Sequence, residues 1–417
     1  MLSAKFTRMV TIHAALTSAA LFILLLLAAH PAQAQTETVL YSFTGNGDGG
    51  LPWSRLTRDD KGNFYGTTRC GGVEYGCTGY GTVFELSPNG SGGWNETTLY
   101  NFCSMPGCTD GQNPLSYIVF DSAGNLYGTT SGGGSGAGCS IGCGVAFELS
   151  PVGTRWTETV IYNFTPVGDV GSVPLGSLIM DAAGNLYGTT WGTVFELSPS
   201  RGGWTEQTIY TGIMEYNTIG MANGLTMDAA GNLYGASNYS TFELSPNGSG
   251  GWNSTVLHTF TSKVGGNRAD FTAVGIPVLD SAGNIYGTST GSSWGAVYKL
   301  THKKNGKWVK TVLHAFSGPY AGDDGTSPGG ALVINADGNL YGTTEYGGTY
   351  GTGTLFELVA PIGTGNYEYK TLLNFGGSPL DEYYPVGSLI QDSAGNLYGT
   401  ASSGGSGTWG VVFEVTP

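Results

Sequence analysis

Asp121-Ser122-Ala123-Gly124-Asn125-Leu126-Tyr127-Gly128-Thr129 decides the fold, because the chain repeats this stretch seven times. Its asparagine falls at 63, 125, 185, 232, 284, 339 and 396, always preceded by Gly and followed two residues later by Tyr-Gly. Working outward, a second motif, Gly81-Thr82-Val83-Phe84-Glu85-Leu86, returns near 147, 195, 242, 298, 356 and 413. A third, Glu96 to Phe102, returns through Phe164, Tyr210, Phe260, Phe316 and Phe375. A weaker fourth precedes each turn, as in Pro174-Leu175-Gly176-Ser177-Leu178-Ile179-Met180. Each is a short run of β-branched and aromatic residues bounded by Gly, Pro, Asn and Ser, the pattern of strands and turns. Asp-x-Ala-Gly-Asn reads as a tight turn, in which the carboxylate accepts a backbone N–H and Gly supplies the positive φ.

The phase of the repeats matters more than their number. The second motif ends the chain at Phe413-Glu414-Val415, with no third motif after it. The missing copy stands near the start, at Thr36-Glu37-Thr38-Val39-Leu40-Tyr41-Ser42-Phe43. In an open stack both ends would be incomplete, whereas in a ring the first strand completes the last unit and leaves no sheet edge unpaired. The expectation is an all-β fold, a seven-bladed β-propeller with four strands (a to d) per blade, closed by the N-terminal strand. An open stack of sheets is the alternative.

Lys5 and Arg8, the apolar run through Leu21–Ala29 and Ala32-Gln33-Ala34 predict a signal peptide over 1–34, leaving one domain over 35–417. The protein is then exported, periplasmic or extracellular, with no membrane segment after cleavage. Charged residues are 11% of the chain, against roughly 25% in an average domain. With 16 basic and 30 acidic side chains it lacks the Lys/Arg surface that nucleic acid requires.

With strand a on the axis, the b–c and d–a loops share one face, and function is expected there, on variable loops over a rigid scaffold. All six cysteines fall in these loops of the first two units. Their closeness favours Cys70–Cys77, Cys103–Cys108 and Cys139–Cys143, as suits an oxidising compartment. A zinc site is the rival, though a Cys-x-x-Cys pair is missing. The recurring Tyr and the Glu of strand c occur too often to be catalytic and read as packing and hydrogen-bonding residues. His258 and His314 fall in the strand d column of Tyr100, Tyr162 and Tyr210 and read as variants of it, which leaves little from which to build a histidine-based triad or metal site.

The ligand-binding candidates are Trp191, Trp294, Trp409, Tyr80, Asp110 and Asp323, flat aromatic faces beside carboxylates that suit sugar rings. Tyr80, Trp191, Trp294 and Trp409 also each precede the Gly that opens strand c, where they would plug the loop base. No catalytic residue or cofactor is assigned. The carboxylates would suit Ca²⁺, but no Asp-x-Asp-x-Asp-Gly loop appears.

Asn-Leu-Tyr-Gly-Thr-Thr, the Gly-rich loop, Gly-Thr-Val-Phe-Glu-Leu and Leu-Tyr-Asn-Phe together resemble the Gloeo/Verruco (GloVer) tandem repeats of exported bacterial proteins, over residues 36–417. The resemblance implies export and repetition, with no catalytic residues to carry over. Two functions compete: a non-enzymatic binding module for extracellular polysaccharide or a protein partner, and a glycoside hydrolase or lyase using loop-face carboxylates.

Overall fold

The computed structural model describes residues 36–417 apart from 73, 75, 167–170, 212–223, 238–239, 261–271, 274, 291–293, 319–323, 378–382 and 386. The proposed signal peptide lies outside the described residues. Seven antiparallel sheets follow one another along the chain. Blade one is typical: Gly50–Pro52 (a), Phe64–Cys70 (b), Thr82–Pro88 (c) and Trp94–Asn101 (d), paired in that order. In blade seven the order is Tyr383–Pro385, Leu397–Ser403, Val411–Thr416 and then the N-terminal Thr36–Ser42, so the ring closes as the phase of the repeats requires.

One irregularity shows that the closing strand is an authentic strand d. In blade one Val83 faces Tyr100 and Phe84 faces Thr98, so Leu99 is a bulge, and it turns inward and is buried. The same shift recurs at Ala146/Phe147, Val194/Phe195, Thr241/Phe242, Val297/Tyr298 and Leu355/Phe356. The closing pair repeats it, with Val39 opposite Phe413 and Tyr41 opposite Val412, leaving Leu40 as the bulge.

The repeated residues have physical reasons. A Cβ on the Gly of each Tyr-Gly would sit 2.4–2.7 Å from the tip of the strand c aromatic ring, from Gly66 on Phe84 to Gly399 on Phe413, so only Gly lets that ring lie flat on strand b. The Asp121 turn spends its whole carboxylate: Oδ1 accepts the Ala123 and Asn125 amides (2.8 and 2.9 Å), and Oδ2 accepts Asn125 Nδ2 and the Tyr127 hydroxyl (2.8 and 3.1 Å). In blade six Asn335 replaces the Asp and offers no second carboxylate oxygen. There the Tyr341 hydroxyl turns to Glu357 at 2.9 Å.

Blades grip one another through aromatic pairs. The Phe that follows strand d lies edge-on to the strand c ring of the next blade: Phe43–Phe84, Phe102–Phe147, Phe164–Phe195, Phe260–Tyr298, Phe316–Phe356 and Phe375–Phe413, at 5.0–5.4 Å. Between blades three and four, Tyr210 stacks on Phe242 instead. The Phe43–Phe84 pair belongs to a buried cluster that joins Leu56, Phe64 and Leu86 of blade one to Tyr398 and Val412 of blade seven. Strand a is interrupted at its middle, where the Ser54 and Ser116 hydroxyls accept the strand b amides of Thr67 and Thr129 (3.1 and 2.8 Å) in place of the ladder.

Candidate functional site

The loop-face carbonyls before strand c form a clasp between blades. Trp409 O accepts the Leu51 amide, Tyr80 O that of Asn113, Cys143 O that of Val173, Trp294 O that of Ser327 and Thr352 O that of Tyr384, at 2.7–3.0 Å. Each donor sits just before a proline and holds a left-handed φ of 52–59°. Such a backbone costs on the order of 1–3 kcal/mol per residue unless its surroundings enforce it, as this clasp does. The glycine after each carbonyl is required as well. A Cβ on Gly81 would lie 2.3 Å from Thr68 O and 2.7 Å from Pro114 of the next blade.

The clasp accounts for the main chain of Tyr80, Trp294 and Trp409, whereas Trp191 O accepts the Gly171 amide at 3.2 Å, and the side chains of the four divide. Trp409 is partly buried, and a Cβ on Gly45 or Gly76 would lie 2.6 or 2.8 Å from its indole, so it is wedged into the junction between blades seven and one. Tyr80 packs against the buried cluster of blades one and two. Trp191 and Trp294 are exposed, at 39% and 46%. The ring sets these four on blades one, three, five and seven rather than in one patch.

Asp110, expected to face a ligand, is only 2% exposed. It accepts the Tyr100 hydroxyl at 2.8 Å, the Ser104 amide and hydroxyl at 2.8 and 2.9 Å, and the Met105 amide at 3.3 Å, so as placed it organises its own loop. Asp48 does the same with Tyr41 and Thr44, and Asp324 with His314 and Ser317. His314 thus stands in for the strand d tyrosine, 2.9 Å from Asp324 and stacked 4.1 Å from Tyr369. Asp323 lies outside the described residues. The cysteines form Cys70–Cys77, Cys103–Cys108 and Cys139–Cys143, all on this face of blades one and two.

Apart from Tyr346, whose place among the loop-face aromatics is legible in the sequence, sequence reading missed the residues where strands a and b converge at the loop-face mouth of the axis. The Arg69 guanidinium stacks over Trp53 at 5.4 Å in blade one. Across the neighbouring junction, Tyr346 of blade six and Tyr384 of blade seven pair edge-on at 5.4 Å. Both rings stay open to solvent, 44% and 36% exposed. Glu345, next to Tyr346, lines one cavity with Trp53, Arg55 and Pro385. The Tyr346 hydroxyl is pushed up to about 12, first by its hydrogen bond to Glu345 and then by burial, so it stays a neutral donor. The mouth therefore presents aromatic faces, a cation and a carboxylate across blades six, seven and one. The available signal was variation within the repeat: Arg69 and Glu345 occupy a column that otherwise holds Ser131, Trp191, Asn238, Thr290 and Ser402.

This fold and mouth define a seven-bladed β-propeller whose loop face carries the variable chemistry. The chain belongs to the Gloeobacter/Verrucomicrobia repeat family, whose family model matches residues 29–241 and 236–417. No curated protein matches its sequence. Among solved structures it is similar to virginiamycin B lyase from Staphylococcus aureus (13% identity, TM-score 0.54, covering 92% of this chain and 99% of that one). It is also similar to the extracellular domain of the putative one component system BT4673 from B. thetaiotaomicron (10% identity, TM-score 0.54, covering 91% and 40%). At these identities the likeness is one of fold.

Proposed function

We propose that the protein is a non-enzymatic, exported binding module that holds saccharide rings at the loop-face mouth of its axis. The observation that carries this reading is the half-exposed Tyr346–Tyr384 pair beside Glu345 and the Trp53–Arg69 stack. Sugar rings offer apolar C–H faces to aromatic side chains and hydroxyls to charged ones, and this mouth has both within three consecutive blades. Three disulfides suit the oxidising compartment in which an extracellular polysaccharide would be met. Propellers host both binding and catalysis, so the likeness to a lyase fold assigns no activity here.

The test is a thermal-shift and calorimetric screen against polysaccharides and oligosaccharides, since a ligand of the native state raises Tm by mass action. A hit should weaken at least tenfold in Tyr346→Ala combined with Tyr384→Ala. A flat screen, or a hit indifferent to both substitutions, sinks the reading. New reducing ends or unsaturated products would replace it with the carbohydrate-active enzyme.

A further inference from the structure

At the middle of strand a each blade contributes one residue to the axis, and the ring they form is two-faced. Blades seven, one, two and three give Ser388, Arg55, Tyr117 and Ser177, while blades four, five and six give Gly224, Ile276 and Ala331. Tyr117 reaches across to pack on Ile276 and Ala331, so its ring plugs the channel. On the loop-face side lies the cavity shared with Trp53 and Glu345. On the turn-face side lies a chamber of about 350 Å³, walled by Val278, Val333, Ile334 and Ile390 and reached by both Arg55 and Tyr117.

Arg55 is the one charged residue in this ring. Its guanidinium stacks on Tyr117, 5.5 Å from the ring centre. Stacking serves the face of the group and one N–H reaches the Tyr117 hydroxyl, but Nε is buried with no hydrogen-bond partner. Among the described residues no carboxylate comes within 4.0 Å of it to form an ion pair. A buried, unpartnered donor on a charged group is costly, and a structural plug would be better served by a neutral residue. Polar groups elsewhere in the chamber are already engaged: the Thr226 hydroxyl donates to Pro277 O, and Gln391 Nε2 to Gly395 O.

We propose that the turn-face chamber binds a small organic carboxylate, its head on the Arg55 guanidinium beside Tyr117 and its apolar part against Ile276, Val278 and Ile334. Guanidinium N–H groups match a carboxylate in geometry and charge. One cation neutralises one charge, so a second negative charge, as on a phosphate dianion, would be left buried without a partner. Glu345 disfavours an anion in the opposite cavity, which leaves the turn-face chamber as the site.

The test is calorimetric titration of the protein with sodium benzoate, with inorganic phosphate as the control. Benzoate should bind saturably, phosphate at least tenfold more weakly, and Arg55→Gln should lose at least tenfold in benzoate affinity. If that variant does not fold, the unmodified protein decides: with ¹⁵N-arginine labelling, one Nε resonance should move saturably with benzoate, and Arg55→Lys should remove that resonance and weaken binding several-fold. No saturable binding up to about 10 mM, a Kd near 3 kcal/mol of free energy, overturns the proposal. Equal affinity for phosphate, or unchanged affinity in Arg55→Gln, does the same.

Discussion

Trp409 O accepts the Leu51 amide at 2.7 Å, and that bond fastens the last blade to the first. The indole above it is wedged against Gly45 and Gly76, where side chains would collide with it. Trp409→Ala should therefore cost about 2 kcal/mol, below the range for a fully buried tryptophan because the indole is only partly buried. Trp294→Ala, at an equivalent position and also lying on a glycine, Gly318, but 46% exposed and without a second glycine contact like that of Gly76, should cost less, about 1 kcal/mol. Urea unfolding of the two variants checks the contrast, and equal losses would mean that Trp409 is not a closure residue.

Gly66→Ala places a methyl group 2.6 Å from Phe84 Cζ, in space that the ring fills completely. Overpacking of this kind typically costs about 1–3 kcal/mol. Gly66→Ala combined with Phe84→Leu should recover part of the loss, because the shorter side chain withdraws from the methyl. A double variant no better than the sum of the singles would count against a steric origin.

His314→Tyr should be neutral or stabilising. Tyr41 and Tyr100 already make the corresponding bonds to Asp48 and Asp110, at 3.0 and 2.8 Å, so the substitution restores the residue used in other blades. A fall in Tm would show that the His314–Asp324 contact has a role of its own.

Architecture was legible because a seven-fold repeat reports the same environment seven times. The displaced third motif at Thr36–Phe43 supplied the closure without any long-range information. The mouth was hidden for the same reason. Trp53, Arg69, Glu345 and Tyr384 each stand in a column that changes from blade to blade, so the repeat assigns them no common environment, and only ring closure brings residue 53 beside residues 345 and 384. Asp110 shows the converse: a loop acid looks exposed in sequence until the chain folds back and Tyr100, ten residues earlier, donates to it.

In blades one and two a strand d glutamate faces the Tyr–Asp pair of the preceding blade, Glu96 beside Tyr41 and Asp48 and Glu158 beside Tyr100 and Asp110, and these two glutamates shape the pH response. Burial, and then the nearby Asp48, push Glu96 up to about 7, although Thr98 pulls it down. Burial and then Asp110 push Glu158 up to about 8. The folded state thus holds these protons more tightly than the unfolded chain. Their stabilising contribution is complete below the ordinary glutamate value near 4.5 and is lost as pH rises toward 7–8. The turn carboxyls run the other way. Partial burial opposes ionisation of Asp121, Asp181, Asp228, Asp280 and Asp392, but the Asn amides, the Ala amides and the Tyr hydroxyls together outweigh it and hold them below their ordinary value. Their contribution is present at neutral pH and fades as pH falls below about 4. Stability should therefore peak on the mildly acidic side, and the urea midpoint should decline from about pH 5 to pH 8. Glu96→Gln combined with Glu158→Gln should flatten that decline and leave the acid limb unchanged. A midpoint that rises over this interval, or a decline untouched by the double substitution, would show that the two glutamates ionise freely in the folded protein.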